Sequence, residues 1–294
     1  MKILLFGAGG LLGRYLAVEF AKGGGDLLAL NRAGADITDT ARLDDLFKDR
    51  WDIVINAAAV CNFDACELDP SGTARVNLDA PLDLARRCAA QGALFVQYSS
   101  DYIYDGTGNK PLTERDNPSP LSVYGHQKAD LEKLVPALCP RNLVLRLSWL
   151  YGAGGKTFMS RLPDLFSTQK SVRTASGKKG NCLYAADGAF WTRRLVESGH
   201  SGLINLVNAG ETSWEEFSAA CLEEMKISGL APVCERIEDV PYEQLGPAWQ
   251  KRPRYSCLDV SKLVAALPPG PRPWRDALTG FLSEWKSVAA DRSV

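Results

Sequence analysis

Met1-Lys2-Ile3-Leu4-Leu5-Phe6-Gly7-Ala8-Gly9-Gly10-Leu11-Leu12-Gly13-Arg14-Tyr15-Leu16 opens the chain and decides how the rest is read. Ile3 to Phe6 is a short apolar run that stops at glycine, the pattern of a strand buried on both faces. From Leu11 to Lys22 the apolar residues Leu12, Leu16 and Phe20, with Tyr15, recur at helical spacing, and Gly23-Gly24-Gly25 ends the helix. Between strand and helix stand Gly7, Gly10 and Gly13, spaced three and three, with Gly9 inside. Glycine at such a turn allows positive φ, close approach of the backbone to a pyrophosphate, and tight helix–sheet packing. The free N–H groups at the start of the helix, around Leu11 and Leu12, then face an anion. The plain alternative is a tight strand–helix turn without a ligand. The strand before the motif and the helix after it favour dinucleotide binding, which a lone glycine motif would not.

Working outward, the same alternation repeats. Asp26–Leu30 reads as a strand, Asp39–Arg50 as a helix, and Asp52–Ile55 as a strand closed by Asn56-Ala57-Ala58-Ala59. Pro70–Ala90 reads as a helix, Ala93–Tyr98 as a strand ending at Ser99-Ser100-Asp101, Val123–Leu138 as a helix and Leu143–Leu147 as a strand. Strands alternating with helices imply parallel βαβ units. The fold class expected is α/β, a Rossmann-type doubly wound parallel sheet with a smaller α/β C-terminal substrate lobe. Residues 1–150 would form the dinucleotide-binding domain. Residues 151–294 would form mainly the substrate lobe, with some later segments returning to the sheet. Helices are expected over Phe158–Phe166, Gly188–Glu197 and Ser213–Lys226, with a strand at Gly202–Val207.

Lys plus Arg number 34 and Asp plus Glu 35, a net charge of -1 that gives no footprint for nucleic acid or an anionic membrane. No apolar stretch has the length of a membrane span or the layout of a signal peptide, so a cytoplasmic protein is expected. The eight cysteines form no CxxC pair and there are two histidines, so reduced buried thiols and no metal site are expected.

The ribose-binding acid that usually follows the second strand is replaced by Asn31 and Arg32. An arginine there suits a 2′-phosphate, which favours NADP(H) and leaves NAD(H) as the alternative. Asp36 and Ile37 would flank the adenine. Tyr124-Gly125-His126-Gln127-Lys128 puts a phenol and an ammonium one helical turn apart on one face. A nearby cation makes the phenol a better proton exchanger, and Ser100 at the preceding strand end could bond the same carbonyl oxygen. This is the equipment for hydride reduction of a carbonyl.

Taken in order, the chain resembles the extended short-chain dehydrogenase/reductases, and within them the dTDP-4-dehydrorhamnose reductase family. The resemblance rests on Gly7 to Gly13, Val54 to Ala59, Val76-Asn77, Ser99 to Gly106, Tyr124 to Lys128, Arg146 to Gly152, Glu211 to Trp214, Arg252-Pro253 with Ser256 and Leu258, and Trp274 to Leu278. It implies NAD(P)H-dependent reduction of the 4-keto group of a nucleotide-linked deoxysugar, with a sugar nucleotide as the small-molecule partner and a homodimer as an open possibility. Ser100, Tyr124 and Lys128 would be catalytic. Asn56, Ala57, Ala58, Ala59, Tyr98 and Ser99 would join the glycine loop, Tyr124 and Lys128 around the cofactor. Asp64, Ser100, Asp101, Tyr102, Trp149 and Arg252 would meet the sugar. Two departures stand out: Ser100 where the family generally has threonine, and Gly180-Asn181-Cys182-Leu183-Tyr184, preceded by Lys178 and Lys179, where it has a Gly-x-Pro-Thr stretch. The rival readings are a non-catalytic NADP-binding regulatory subunit, like the partner of methionine adenosyltransferase, and a nucleotide-sugar epimerase or dehydratase.

Overall fold

The computed structural model describes residues 1–291. Five strands, β1 Lys2–Phe6, β2 Asp26–Leu30, β3 Ile53–Asn56, β4 Leu94–Ser100 and β5 Asn142–Leu147, come from the first half of the chain. A sixth, β6 Gly202–Asn205, comes from the second half and pairs with β5. The order is β6-β5-β4-β3-β1-β2, and every pairing is parallel. The Rossmann-type α/β reading therefore holds.

Alternation along the strands explains the two layers, because successive side chains leave opposite faces. Ile3, Leu5, Ile53 and Ile55 point to one face, where they meet Leu12, Leu16 and Phe20 of α1 (Leu11–Ala21) and Leu195 further along the chain. Leu4, Phe6, Val54, Phe95 and Val144 point to the other. There they pack on Leu43 and Leu46 of α2 (Thr40–Leu46), and on Leu84 and Cys88 in the next helical stretch. Each fully buried side chain of this size contributes about 1.5–3 kcal/mol, so both helical layers are firmly held to the sheet.

α2 is shorter than expected: Asp39 caps it through the Arg42 amide, and it has stopped by Phe47. An unexpected helix, α3 Phe63–Leu68, starts at Asn62, whose side chain accepts from the Ala65 amide. Asp69 then caps α4 (Pro70–Ala74), which runs through a π turn at Arg75–Asp79 into α5 (Ala80–Gln91). α6 occupies Val123–Leu138 as read from the sequence.

Beyond β5, α7 (Phe158–Thr168), α8 (Ala185–Glu197) and α9 (Trp214–Ile227) fall within a few residues of expectation. α8 packs with α1 on the sheet. The others join the C-terminal helix Trp274–Asp291 around a separate aromatic core of Tyr151, Phe166, Phe217, Trp274 and Phe281. Three two-stranded pairings escaped the sequence reading: Leu150–Tyr151 with Leu183–Tyr184, Ser171–Ser176 with Arg236–Pro241, and Lys179–Gly180 with Thr212–Ser213. Two of them are two residues long, too short to show any period.

Candidate active site

The glycine loop, the ends of β3, β4 and β5, and the start of α6 enclose one cleft of about 990 Å³. Gly7 has φ 78° and lies against the turn after β3; a Cβ there would come 2.5 Å from the Ala58 amide nitrogen. A Cβ on Gly13 would come 2.0 Å from the Gly7 carbonyl oxygen, so α1 can seat this close only with glycine. α1 begins at Gly10 with no side-chain cap, which leaves its first amides facing the cleft. That uncapped terminus and the glycine cradle fit a dinucleotide pyrophosphate.

The opposite wall is set by side-chain amides. Asn56 is fully buried at the end of β3, donates to Gln97 Oε1 at 2.8 Å and accepts from the Ala58 amide at 3.1 Å. Asn77 accepts from the Val60 amide at 2.8 Å and donates to Gln127 Oε1 at 2.8 Å, which ties the β3 turn to α6. Ser122 caps α6 by accepting from the Gly125 amide. Gly125 must be glycine here, because a Cβ would meet the Tyr102 carbonyl oxygen at 2.2 Å.

This docking of α6 on the end of β4 brings Tyr124 beside Ser100 on the cleft wall. Ser100 Oγ accepts from the Tyr102 amide and donates to Asp101 Oδ1, each at 3.2 Å. Lys128 is buried behind Tyr124 and donates to the Tyr98 carbonyl at 3.0 Å. Burial raises the Tyr124 phenol well above its ordinary value; neighbouring Cys61 adds to this and Ser100 opposes it. Burial lowers the Lys128 ammonium. A carbonyl oxygen between Ser100 and Tyr124 would thus meet two hydroxyls, one of them a firmly protonated phenol.

Of the expected cofactor residues, Gly9, Gly10, Leu11, Leu12, Ala57, Ala59, Ser99 and Tyr124 line the cleft. Gly7, Gly13, Asn56, Ala58 and Lys128 shape it from behind. Four lie off it: Asn31 accepts from the Gly34 amide, Arg32 pairs with Asp36 at 3.1 Å, and Ile37 is buried in the core layer with Leu4 and Phe6. Tyr98 contributes its carbonyl only. Strand alternation sends its side chain to the far layer, where the hydroxyl bonds Thr192.

Among the expected sugar contacts, Ser100, Asp101, Tyr102, Trp149 and Arg252 line the cleft, and Asp64 sits exposed in the first turn of α3. Cys61 and Phe63, from the Val60–Asp64 stretch that the resemblance associates with the sugar pocket, also line the cleft, while Lys156 and Phe158, before and in α7, were not singled out. Gly154-Gly155-Lys156-Thr157 ahead of a helix was a legible signal for the α7 end, since Thr157 caps α7. Trp214 closes the family stretch Glu211–Trp214, but nothing in that stretch showed that it would line the cleft and stack on Phe158 at 5.0 Å from a distant part of the chain.

The sequence model of the family described as RmlD substrate binding domain matches residues 1–287. A dTDP-4-dehydrorhamnose reductase of Streptomyces griseus is 34% identical over 284 residues, 94% of this chain and 91% of the relative. A crystal structure of a dTDP-4-dehydrorhamnose reductase from Clostridium acetobutylicum superposes with TM-score 0.88 at 27% identity, over 97% of this chain and 100% of that one. The Bacillus anthracis dTDP-4-dehydrorhamnose reductase, solved in complex with NADP, shares the fold at TM-score 0.89 and 24% identity, over 96% of this chain and 99% of that one.

Proposed function

This chain belongs to the RmlD substrate binding domain family, and we propose on that premise that it is an NAD(P)H-dependent oxidoreductase that reduces the 4-keto group of a nucleotide-linked deoxysugar, of the dTDP-4-dehydrorhamnose type. The observation that carries this reading is the shared wall of Ser100 and Tyr124 across the cleft from the glycine loop. A regulatory cofactor-binding chain has no chemical need for that pair with Lys128 behind it.

The six-stranded unit with Gly7 to Gly13 holds the cofactor, and the segments after β5 hold the sugar nucleotide. NADP(H) is the favoured cofactor and NAD(H) the alternative, because Arg32 stands where a ribose-binding acid would select against a 2′-phosphate. Its guanidinium is largely exposed and leaves Asp36 at little cost, as surface pairs do. The bound nicotinamide supplies the hydride.

Ser100 and Tyr124 hold the substrate carbonyl oxygen, which polarises the bond and orients its carbon. As the hydride adds to that carbon, the carbonyl π pair moves onto oxygen and takes the Tyr124 proton, so the products are the alcohol and the oxidised cofactor. The Tyr124 proton is present at neutral pH, and burial rather than the neighbouring Lys128 sets the direction of its shift, upward. Lys128 anchors the cofactor's ribose side and limits the charge left on the Tyr124 oxygen. Trp149, Tyr102 and Arg252 offer the sugar an aromatic and cationic wall. A reductase of this kind works where nucleotide sugars are made, in the cytoplasm.

NADPH oxidation followed by absorbance, with dTDP-4-dehydrorhamnose and related nucleotide-linked keto sugars, tests the reading. Turnover with at least one of them is expected. Cofactor binding without turnover on any would overturn it and favour the regulatory role.

A further inference from the structure

Behind the cleft wall lies a cation that the reaction above does not use. Lys178 is 0% exposed, and its Nζ has no hydrogen-bond partner among the described residues. It sits 5.1 Å from the centre of the Tyr102 ring and 5.5 Å from that of Trp149, the two rings facing the sugar side. The charge of Asp101, itself 1% exposed, acts on it without a direct hydrogen bond. Asp101 accepts three hydroxyls: Ser100 at 3.2 Å on Oδ1, and Ser148 at 2.9 Å and Ser256 at 2.6 Å on Oδ2.

These donors come from separate segments. Ser100 ends β4, Ser148 follows β5, and Ser256 arrives with the 178–180 stretch, because Lys179 donates to the Arg254 carbonyl and accepts from the Ser256 amide. Asp101 is therefore a clasp between the reacting end of the sheet and the sugar-side segments. It holds three donors at once only as a carboxylate, since a neutral carboxyl must itself donate to one of those hydroxyls.

An isolated carboxylate this deep would neutralise. Burial does raise Asp101, and Lys178 is the largest opposing influence, ahead of the three serines. Burial lowers Lys178 to about 8 while Asp101 holds it up. The other titratable or charged groups facing the pair are Arg252, Tyr102, Tyr124 and Cys257.

We propose that Lys178 is a positioning residue for sugar-nucleotide binding, the buried counter-charge that keeps the Asp101 clasp closed and so holds the Tyr102 and Trp149 rings in place. The claim for substrate binding rests on the reductase reading; the claim for the clasp does not. This residue lies just before Gly180–Tyr184, the stretch read as departing from the family pattern.

Three measurements on Lys178→Met, with Lys178→Gln as the second variant, test it. In carbon-13 NMR of protein labelled at aspartate carboxyls, Asp101 should titrate at least about one pH unit higher than in wild type, the scale of a lost neighbouring charge. In steady-state kinetics the sugar-nucleotide KM should rise about tenfold, the scale of a one-unit change in the neighbouring carboxyl's titration, with cofactor affinity unchanged. That rise should grow as pH falls through the Asp101 titration and shrink above it. In thermal melts, Lys178→Met should partly rescue Asp101→Asn, because it removes the cation that the asparagine leaves unpaired.

An unchanged Asp101 titration, a pH-independent KM, or additive losses in the double variant would overturn the inference. The NMR and melting experiments need no turnover. A wild-type protein inactive on every keto sugar would therefore sink the reductase reading while leaving the clasp to be judged on its own.

Discussion

Lys128 reaches past the Tyr124 ring, with its ammonium 5.7 Å from the ring centre, and donates to the Tyr98 carbonyl at 3.0 Å. The two residues of the Tyr–Lys pair thus occupy different depths of the same wall. The ammonium is anchored to the sheet, which fixes where its remaining hydrogens point. Lys128→Met should lower kcat by about 10²-fold or more and weaken cofactor binding together. Fluorescence titration with NADPH alongside turnover checks both. A variant that loses rate while binding cofactor as wild type does would confine Lys128 to the chemical step.

Tyr124→Phe removes the donated proton and leaves the ring. Reduction should fall by roughly 10²–10⁴-fold with cofactor affinity nearly intact. The pH dependence follows from the direction of the shift. Burial raises the phenol, so the proton-bearing form that reduction needs persists through neutral and mildly alkaline pH. No loss of kcat attributable to Tyr124 is expected between pH 7 and about 9, below the ordinary phenol value. A fall centred near neutrality in the wild type, absent from another rate-limiting step, would mean that the phenol is not the proton donor.

The cofactor half of this site was legible because its chemistry is written in contiguous residues. Gly7 to Gly13 needs glycine for reasons of a few ångströms, and Tyr124 and Lys128 share a face by helical spacing alone. Where each side chain points is set by geometry that a motif does not carry. Tyr98 looked like a cofactor contact, but its position on β4 turns the side chain to the other layer. The Ile37 side chain is held in the core, and Asp64 sits in the first turn of a helix capped by Asn62. Ser148 and Ser256 bond Asp101 from two distant segments, with the Lys178 charge buried nearby on a third, and no periodicity in the sequence links them. The substrate side was hardest to read because short strand pairs such as Lys179–Gly180 with Thr212–Ser213 build it.

Gly180 separates the two halves of the site experimentally. A Cβ there would lie 2.6 Å from the Trp149 ring and 3.2 Å from Ser256 Oγ. The indole is held edge-on to Trp214 at 6.0 Å and cannot yield freely. Gly180→Ala should therefore raise the sugar-nucleotide KM several-fold while NADPH affinity stays at the wild-type value. Equal losses for both ligands would show that the substitution disturbs the sheet rather than the Trp149 wall.

One turn beyond Lys128 on α6, Glu132 holds Arg146 of β5, with side chains 5% and 2% exposed. Arg146 Nε and Nη2 reach the carboxylate at 2.8 and 2.7 Å, and Nη1 donates to the Tyr104 hydroxyl at 2.7 Å. The pair pins the helix that carries Tyr124 and Lys128 to the sheet. Removing one partner of a buried pair costs about 3–5 kcal/mol, because the remaining charge is left without compensation. Glu132→Gln keeps a hydrogen-bonding group of the same shape, so the lower end of that range applies. In a chain of this size a loss of about 3 kcal/mol lowers Tm by roughly 6–12 °C. Replacing both residues, Glu132→Leu with Arg146→Leu, should cost less than the sum of the single changes, since no orphan charge remains. Thermal melts of the three variants decide the matter: losses below about one degree for Glu132→Gln would show that water or a neighbour compensates Arg146, and that the clamp contributes nothing to holding α6.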